Sequence, residues 1–292
     1  ILQFLRDGAA GVKPTHLAII FDKSEQTFRK EIYPGYKANR PPPPEELVPQ
    51  FPLMRRAVEA FGLKPIEQAG FEADDLIATY AREAREAGAD VLIVSADKDL
   101  MQLIGPGVAM YDPASGEEKR GSYRAERFIG PDEVMAYFGV PPDKVVDVQA
   151  LAGDSTDNVP GVPGIGIKTA AALIGEFGDL ETLLARAGEI KQPKRREALI
   201  ENADKARLSK RLVQLDDHAP LPVPATELAL VPLDPTPAVA FLKALEFTTI
   251  TRRVGELYGV DVAEVAPADV PMVGWPPDGR ETVAPAVAVA PA

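Results

Sequence analysis

Val91-Leu-Ile-Val94 is an unbroken apolar run that ends in Ser95-Ala-Asp-Lys-Asp99, a polar turn carrying two aspartates. A run this short and this apolar reads as a strand covered on both faces, the usual setting of a parallel sheet. Leu17-Ala-Ile-Ile-Phe21 repeats the pattern and is followed at once by Asp22. Working outward, residues 46–61 carry a helical pattern, residues 64–68 a short strand, and Glu72-Ala-Asp-Asp75 opens a helix through about Ala87 that Gly88 stops. Strand and helix alternate over residues 1–130, so an α/β core with a mostly parallel sheet is expected there.

Beyond about Gly130 the pattern changes. Residues 131–138, 170–177, 180–187, 195–203, 208–215 and 237–247 read as short helices separated by Gly and Pro, a small all-α region over 131–258. Residues 259–292 are Ala, Val and Pro with the sole tryptophan, Trp275, and read as a linker or disordered tail.

The whole chain has 292 residues, with 32 Lys+Arg against 44 Asp+Glu for a formal charge of −12. Cysteine is absent, which excludes disulfide frameworks, thiolate-bound zinc and thiol catalysis. His16 and His218 are the only histidines, so a multi-histidine metal site is excluded as well. No apolar run reaches the roughly 18 residues of a membrane span, so no membrane partner is expected.

Acidic residues fall at loop positions that an α/β topology gathers at one edge. They are Asp22 after one strand, Glu72, Asp74 and Asp75 at a helix start, Asp97 and Asp99 after another strand, and Asp154 and Asp157 in Gly153-Asp-Ser-Thr-Asp-Asn158. Ligands of open α/β sheets bind beyond the carboxyl ends of the strands. Each group alone suits a helix start, a cap or a turn. Together they would repel one another unless hard cations such as Mg²⁺ or Mn²⁺ neutralise them. Two such ions about 4 Å apart are suited to phosphodiester hydrolysis.

Two further segments bear on phosphate binding. In Val162-Pro-Gly-Ile-Gly-Ile-Lys-Thr-Ala170, Ile167 separates Gly166 from Lys168, so the nucleotide-binding P-loop spacing fails. What remains is a glycine hairpin between helices, whose amides can approach a DNA phosphate regardless of base sequence. Arg29, Lys30, Lys37 and Arg40, interleaved with Phe28, Tyr33 and Tyr36 ahead of Pro41–Pro44, suit a raised basic-aromatic loop that stacks bases of a single strand. Lys191–Arg196 and Lys205–Arg211 are further basic runs that read as solvated helix faces.

These motifs, in this order, resemble the 5′-nuclease (flap endonuclease) domain found at the amino end of bacterial DNA polymerase I. Phe21-Asp22 with Phe28-Arg29 and Tyr36-Lys-Ala-Asn-Arg40, then 70–75, 96–99, 153–158 and 162–170, carry the likeness, which covers about residues 1–258. The resemblance implies a PIN-like, Rossmann-like core with an arch at about residues 29–50, and a helix–three-turn–helix subdomain. It implies structure-specific 5′→3′ exonuclease and flap endonuclease activity with two Mg²⁺ or Mn²⁺ ions. Asp22, Glu72 and Asp74 would hold one ion with Asp75 near it, and Asp97, Asp99, Asp154 and Asp157 would hold or support the second. Lys37 and Arg40 would steer the scissile phosphate with help from Arg29. Tyr36, Gly164, Ile165, Gly166, Lys168 and Thr169 would contact DNA, with a monovalent cation at the hairpin. The implied partners are branched or flapped DNA and a polymerase region in cis, in a monomer acting in the cytoplasm at the nucleoid. The resemblance also implies a first strand ending in an early metal aspartate. Nothing ahead of Asp22 matches it, Asp7 sitting in a Gly-rich turn, so the first metal site is expected to be a ligand short. The alternative function is then a DNA-binding fragment impaired in catalysis.

Overall fold

The computed structural model describes residues 5, 6, 8, 13–116 and 123–270; Asp7, Trp275 and the tail from 271 onward lie outside the described residues. In chain order the elements begin with strand β1 (Ile19–Ile20), helix α1 (Phe28–Ile32), helix α2 (Gln50–Ala60), strand β2 (Pro65–Ile66), helix α3 (Ala73–Glu86) and strand β3 (Val91–Val94). Strands β4 (Val108–Asp112) and β5 (Arg127–Ile129) follow, then helices α4 (Pro131–Phe138), α5 (Val145–Ala152), α6 (Ile167–Phe177) and α7 (Leu180–Ala185). Helices α8 (Pro193–Glu201), α9 (Ala203–Val213), α10 (Pro235–Ala244) and α11 (Thr248–Tyr258) come last. The chain divides into two units, the larger made of Ile20–Arg40 and Ile66–Ala225, the smaller of the remaining segments.

In the larger unit, β3, β4 and β5 form a three-stranded sheet in that order. β3 and β4 run parallel, pairing Val91 with Val108, and their crossover carries a 3₁₀ turn at Lys98–Leu103. β4 and β5 run antiparallel, pairing Tyr111 with Phe128, and a Ser115–Arg124 bridge extends this ribbon. The sheet is therefore small and mixed where a mostly parallel one is expected. β1 pairs with β2 in a separate two-stranded sheet.

Sheet residues Ile93, Met110 and Ile129 share one buried cluster with Val134, Phe138, Leu151, Leu173 and Leu199 from the helices. The expected division at residue 130 thus runs through continuous packing. Helix α4 starts with Pro131 at its first position and stops at Gly139, whose φ of 76° is the left-handed cap glycine favours. Helix α5 has no sequence signature, because Val145, Val148, Ala150 and Leu151 are all fully buried and leave no polar face.

The smaller unit has its own cluster of Phe61, Ala238, Val239, Leu242 and Val254. Val260, Val262 and Val265 pack against it, and Lys243 Nζ donates to the carbonyls of Val262 (2.8 Å) and Val265 (2.6 Å). Val260, Val262 and Val265 are consequently packed against a core, which corrects the expectation of a linker starting at 259. Among the described residues, no helix is long and apolar enough to cross a membrane.

Candidate metal centre

The site rests on a buried ion pair. Asp75 in the first turn of α3 is fully buried, and Arg29 on α1 is 1% exposed. The Arg29 guanidinium meets both carboxylate oxygens of Asp75 at 2.7 Å, and also donates to the carbonyls of Leu212 (2.8 Å) and Gln214 (3.0 Å). Asp75 accepts the N–H groups of Glu72 (3.0 Å) and Asp216 (2.9 Å) as well. Two sequence expectations change here. Asp75 does not face the cleft, and Arg29 has its donors committed and is too buried to steer a phosphate. Together they tie α1, the start of α3 and the end of α9 into one floor.

Above that floor, Asp22, Glu72, Asp74, Asp97, Asp99, Asp154 and Asp157 line one cavity of about 120 Å³, with Lys37 and Arg40 beside them. Seven of the eight expected carboxylates therefore converge. Asp22 follows β1, and its Oδ1 accepts the N–H of Ala73 (2.8 Å), the first residue of α3, at the positive end of that helix. Glu72 caps the same helix, and its carboxylate accepts from Lys37 Nζ (2.7 Å) and Tyr36 Oη (3.0 Å). Asp97 caps the 3₁₀ turn after β3 by accepting the N–H of Asp99 (2.9 Å). Burial, and then the charges of Asp97 and Glu72, push the Asp74 carboxyl up to about 7. Asp99 is raised as well, burial again being the main cause.

Asp154 and Asp157 are carried by a loop that only glycine can close. Asp154 and Val159 exchange N–H···O bonds of 2.9 and 2.7 Å. Gly161 has φ 59°, and a Cβ there would sit 2.5 Å from the Gly153 nitrogen. A Cβ on Gly153, at φ 70°, would sit 2.6 Å from the Val159 carbonyl. Both positions combine a left-handed backbone with backbone contact, which excludes any side chain.

Residues 33–40 lie against this loop rather than standing raised. Lys37 N–H donates to the Asp157 carbonyl (2.9 Å), Asn39 Nδ2 to Ser155 (2.7 Å), and Asn158 Nδ2 to Gly35 (2.6 Å). Lys37 and Asn158 both hold positive φ, 54° and 56°, a strained state that persists where surrounding contacts enforce it. Tyr36 is 4% exposed, its hydroxyl turned to Glu72, so its ring is not available to stack on a base. Arg40, half exposed, ion-pairs with Asp157. Lys98, which sequence reasoning missed although it stands between Asp97 and Asp99, ion-pairs with both Asp99 (3.0 Å) and Asp154.

The hairpin keeps its backbone outward. Gly164, Gly166 and Lys168 are exposed and Thr169 is partly so. The Ile165 side chain is 4% exposed and belongs to the core, so only its backbone could touch DNA. Gly166 caps α6, whose first-turn amides have no partner within the helix.

The all-oxygen donor set suits hard divalent cations, and the Asp74 carboxyl is raised by burial first and by the charges of Asp97 and Glu72 after it. Among the described residues, though, Asp216, Asp217 and His218 are the one group of three potential ligands within 4.8 Å of one another. Those three are consecutive residues of a surface turn, and their proximity follows from sequence adjacency. In the cleft, Lys37 pairs with Glu72, Arg40 with Asp157, and Lys98 with Asp99 and Asp154.

A family model described as 5′-3′ exonuclease, N-terminal resolvase-like domain matches residues 1–139, and one described as 5′-3′ exonuclease, C-terminal SAM fold matches residues 140–236. DNA polymerase I of Rhizobium leguminosarum is 54% identical over 92% of the chain, and the thermostable DNA polymerase I of Thermus thermophilus is 38% identical over 89%. The chain spans about a quarter of the length of these relatives, 26% and 29% respectively. Zinc-bound T5 5′-exonuclease shares the fold at a TM-score of 0.57 and 20% identity, covering 85% of this chain and 83% of that one. With both family models matched in succession over residues 1–236, the chain belongs to the 5′-3′ exonuclease family.

Proposed function

We propose that this chain hydrolyses DNA phosphodiesters as a metal-dependent 5′→3′ exonuclease and flap endonuclease, acting where single-stranded DNA meets duplex. The observation that carries the reading is the convergence of seven carboxylates and two cations, Lys37 and Arg40, on one cavity. Asp22, Glu72 and Asp74 would hold one Mg²⁺ or Mn²⁺, and Asp97, Asp99, Asp154 and Asp157 a second. When bound, such ions supply an activated water and stabilise charge on the leaving oxygen. Lys37 and Arg40 exchange their carboxylate partners for phosphate oxygens and meet the charge that develops there. The exposed amides of the hairpin, with Gly164, Gly166, Lys168 and Thr169, hold a duplex phosphate without reading bases. A monovalent cation at the hairpin and a polymerase region in cis belong to the same reading, as does a monomer working at the nucleoid. The alternative, a DNA-binding fragment impaired in catalysis, keeps the same acids and parts from this reading on whether Mg²⁺ gives cleavage.

The test is a labelled 5′-flap substrate incubated with and without Mg²⁺. Cleavage at the junction that requires the ion, and that Asp97→Ala abolishes, is the expected result. Salt-sensitive binding without cleavage in Mg²⁺ would replace the nuclease reading with the binding one.

A further inference from the structure

The buried amide of Gln149 has no place in the reading above, and it touches Asp99, which lines the cleft. Gln149 sits on α5, is 3% exposed, and donates through Nε2 to Asp99 Oδ1 at 2.5 Å. Lys98 Nζ donates to the same oxygen at 3.0 Å. Asp99 Oδ1 is thus engaged twice, and the carboxylate is left to offer Oδ2. At the other end of the amide, Gln149 Oε1 is buried with no hydrogen-bond partner among the described residues. An orphaned buried acceptor is costly. Turning the amide over would place Oε1 against a carboxylate oxygen, so the observed orientation keeps the donor on Asp99 at the expense of its own oxygen.

Taking the two-ion reading as its premise, we propose that Gln149 is a positioning residue for the second cation, locking the rotation of the Asp99 carboxylate so that Oδ2 is presented as a ligand. Partners of this kind, which orient a ligand without touching the metal, change metal affinity by about 10–100-fold when removed. Gln149 acts through Asp99 and contacts no substrate.

The experiment is a calorimetric Mn²⁺ titration of the DNA-free chain, its thermal unfolding recorded alongside. Gln149→Met keeps the length and apolar volume and deletes the donor. Gln149→His keeps a ring N–H at about the reach of Nε2. Expected is a parent isotherm with two sites, a tenfold or greater weakening of one site alone in the methionine variant, and recovery to within about threefold of the parent in the histidine variant. Equal affinities in parent and methionine variant, equal weakening of both sites, or a histidine variant no better than the methionine one each overturn the positioning role, the last two showing a packing effect. If the parent chain takes up no Mn²⁺, the two-ion reading itself fails, separately from this inference.

Discussion

Arg29 with Asp75 and Arg40 with Asp157 are pairs of the same two residue types, set in one unit, and they do opposite work. The first is fully buried, bidentate and braced by four backbone groups. The second has an arginine half exposed to solvent, open to exchange one anion for another. Residue type is the same in both regions, and burial decides the role: a buried pair is too costly to break during turnover, whereas a wet one can be traded for a phosphate.

The largest expected effect lies in the floor. Arg29→Ala leaves the Asp75 carboxylate buried without its cation, and should lower unfolding stability by about 3–5 kcal/mol in urea titration. A loss under about 1 kcal/mol would erase the contrast with Arg40. Next, Gly161→Ala forces a Cβ into backbone at a positive φ, with an expected loss of roughly 2–4 kcal/mol from strain and crowding together. Because that loop carries Asp154 and Asp157, cleavage should fall with it; a stable variant of full activity would show the loop closure is not tied to glycine. Arg40→Ala sharpens the comparison from the other side. Its stability cost should stay below about 1 kcal/mol, while cleavage of a flap substrate drops about 100-fold or more, the scale of losing one charge-stabilising donor.

The smallest effect is a pH dependence of stability in the metal-free chain. Asp74 is held at about 7 by burial and by Asp97 and Glu72, against an ordinary 3.8. Between those values the folded chain binds more protons than the unfolded one, so stability falls as pH rises through about 4 to 7. Burial works to raise Asp154, but its bonds with Lys98 outweigh it and hold the carboxyl below the ordinary range. That contribution is lost only as pH falls below about 4, outside the window. The melting temperature without divalent ions should therefore be a few degrees lower at pH 8 than at pH 5, and Mg²⁺ at pH 8 should recover it. A flat profile would mean that Asp74 is not crowded in the free protein.

Much of the site was legible before the structure. The strand end at Asp22, the helix start at Glu72 and the turn at Asp97 are local signals, each written within a few residues. What escaped was whatever depends on packing between segments far apart in sequence. Helix α5 was invisible because it is buried all round, and with it Gln149. The basic-aromatic stretch from Phe28 to Arg40 read as a raised loop because its residues look exposed in one dimension, whereas Tyr36 turns inward to Glu72. Residues 259–270 read as linker for their composition, yet Val260, Val262 and Val265 pack against a core.

Local chemistry along the chain was enough to name the acidic groups and the glycine hairpin, whose order carries the resemblance to the family, since spacing, caps and turn residues are properties of neighbouring positions. Only the tertiary fold could sort the charges, placing Asp75 and Arg29 beneath the cleft and Asp99 and Arg40 within it. The reason is physical: the free energy of a charged group depends on how much water and which opposite charge it keeps, and both are set by segments that meet only once the chain is folded.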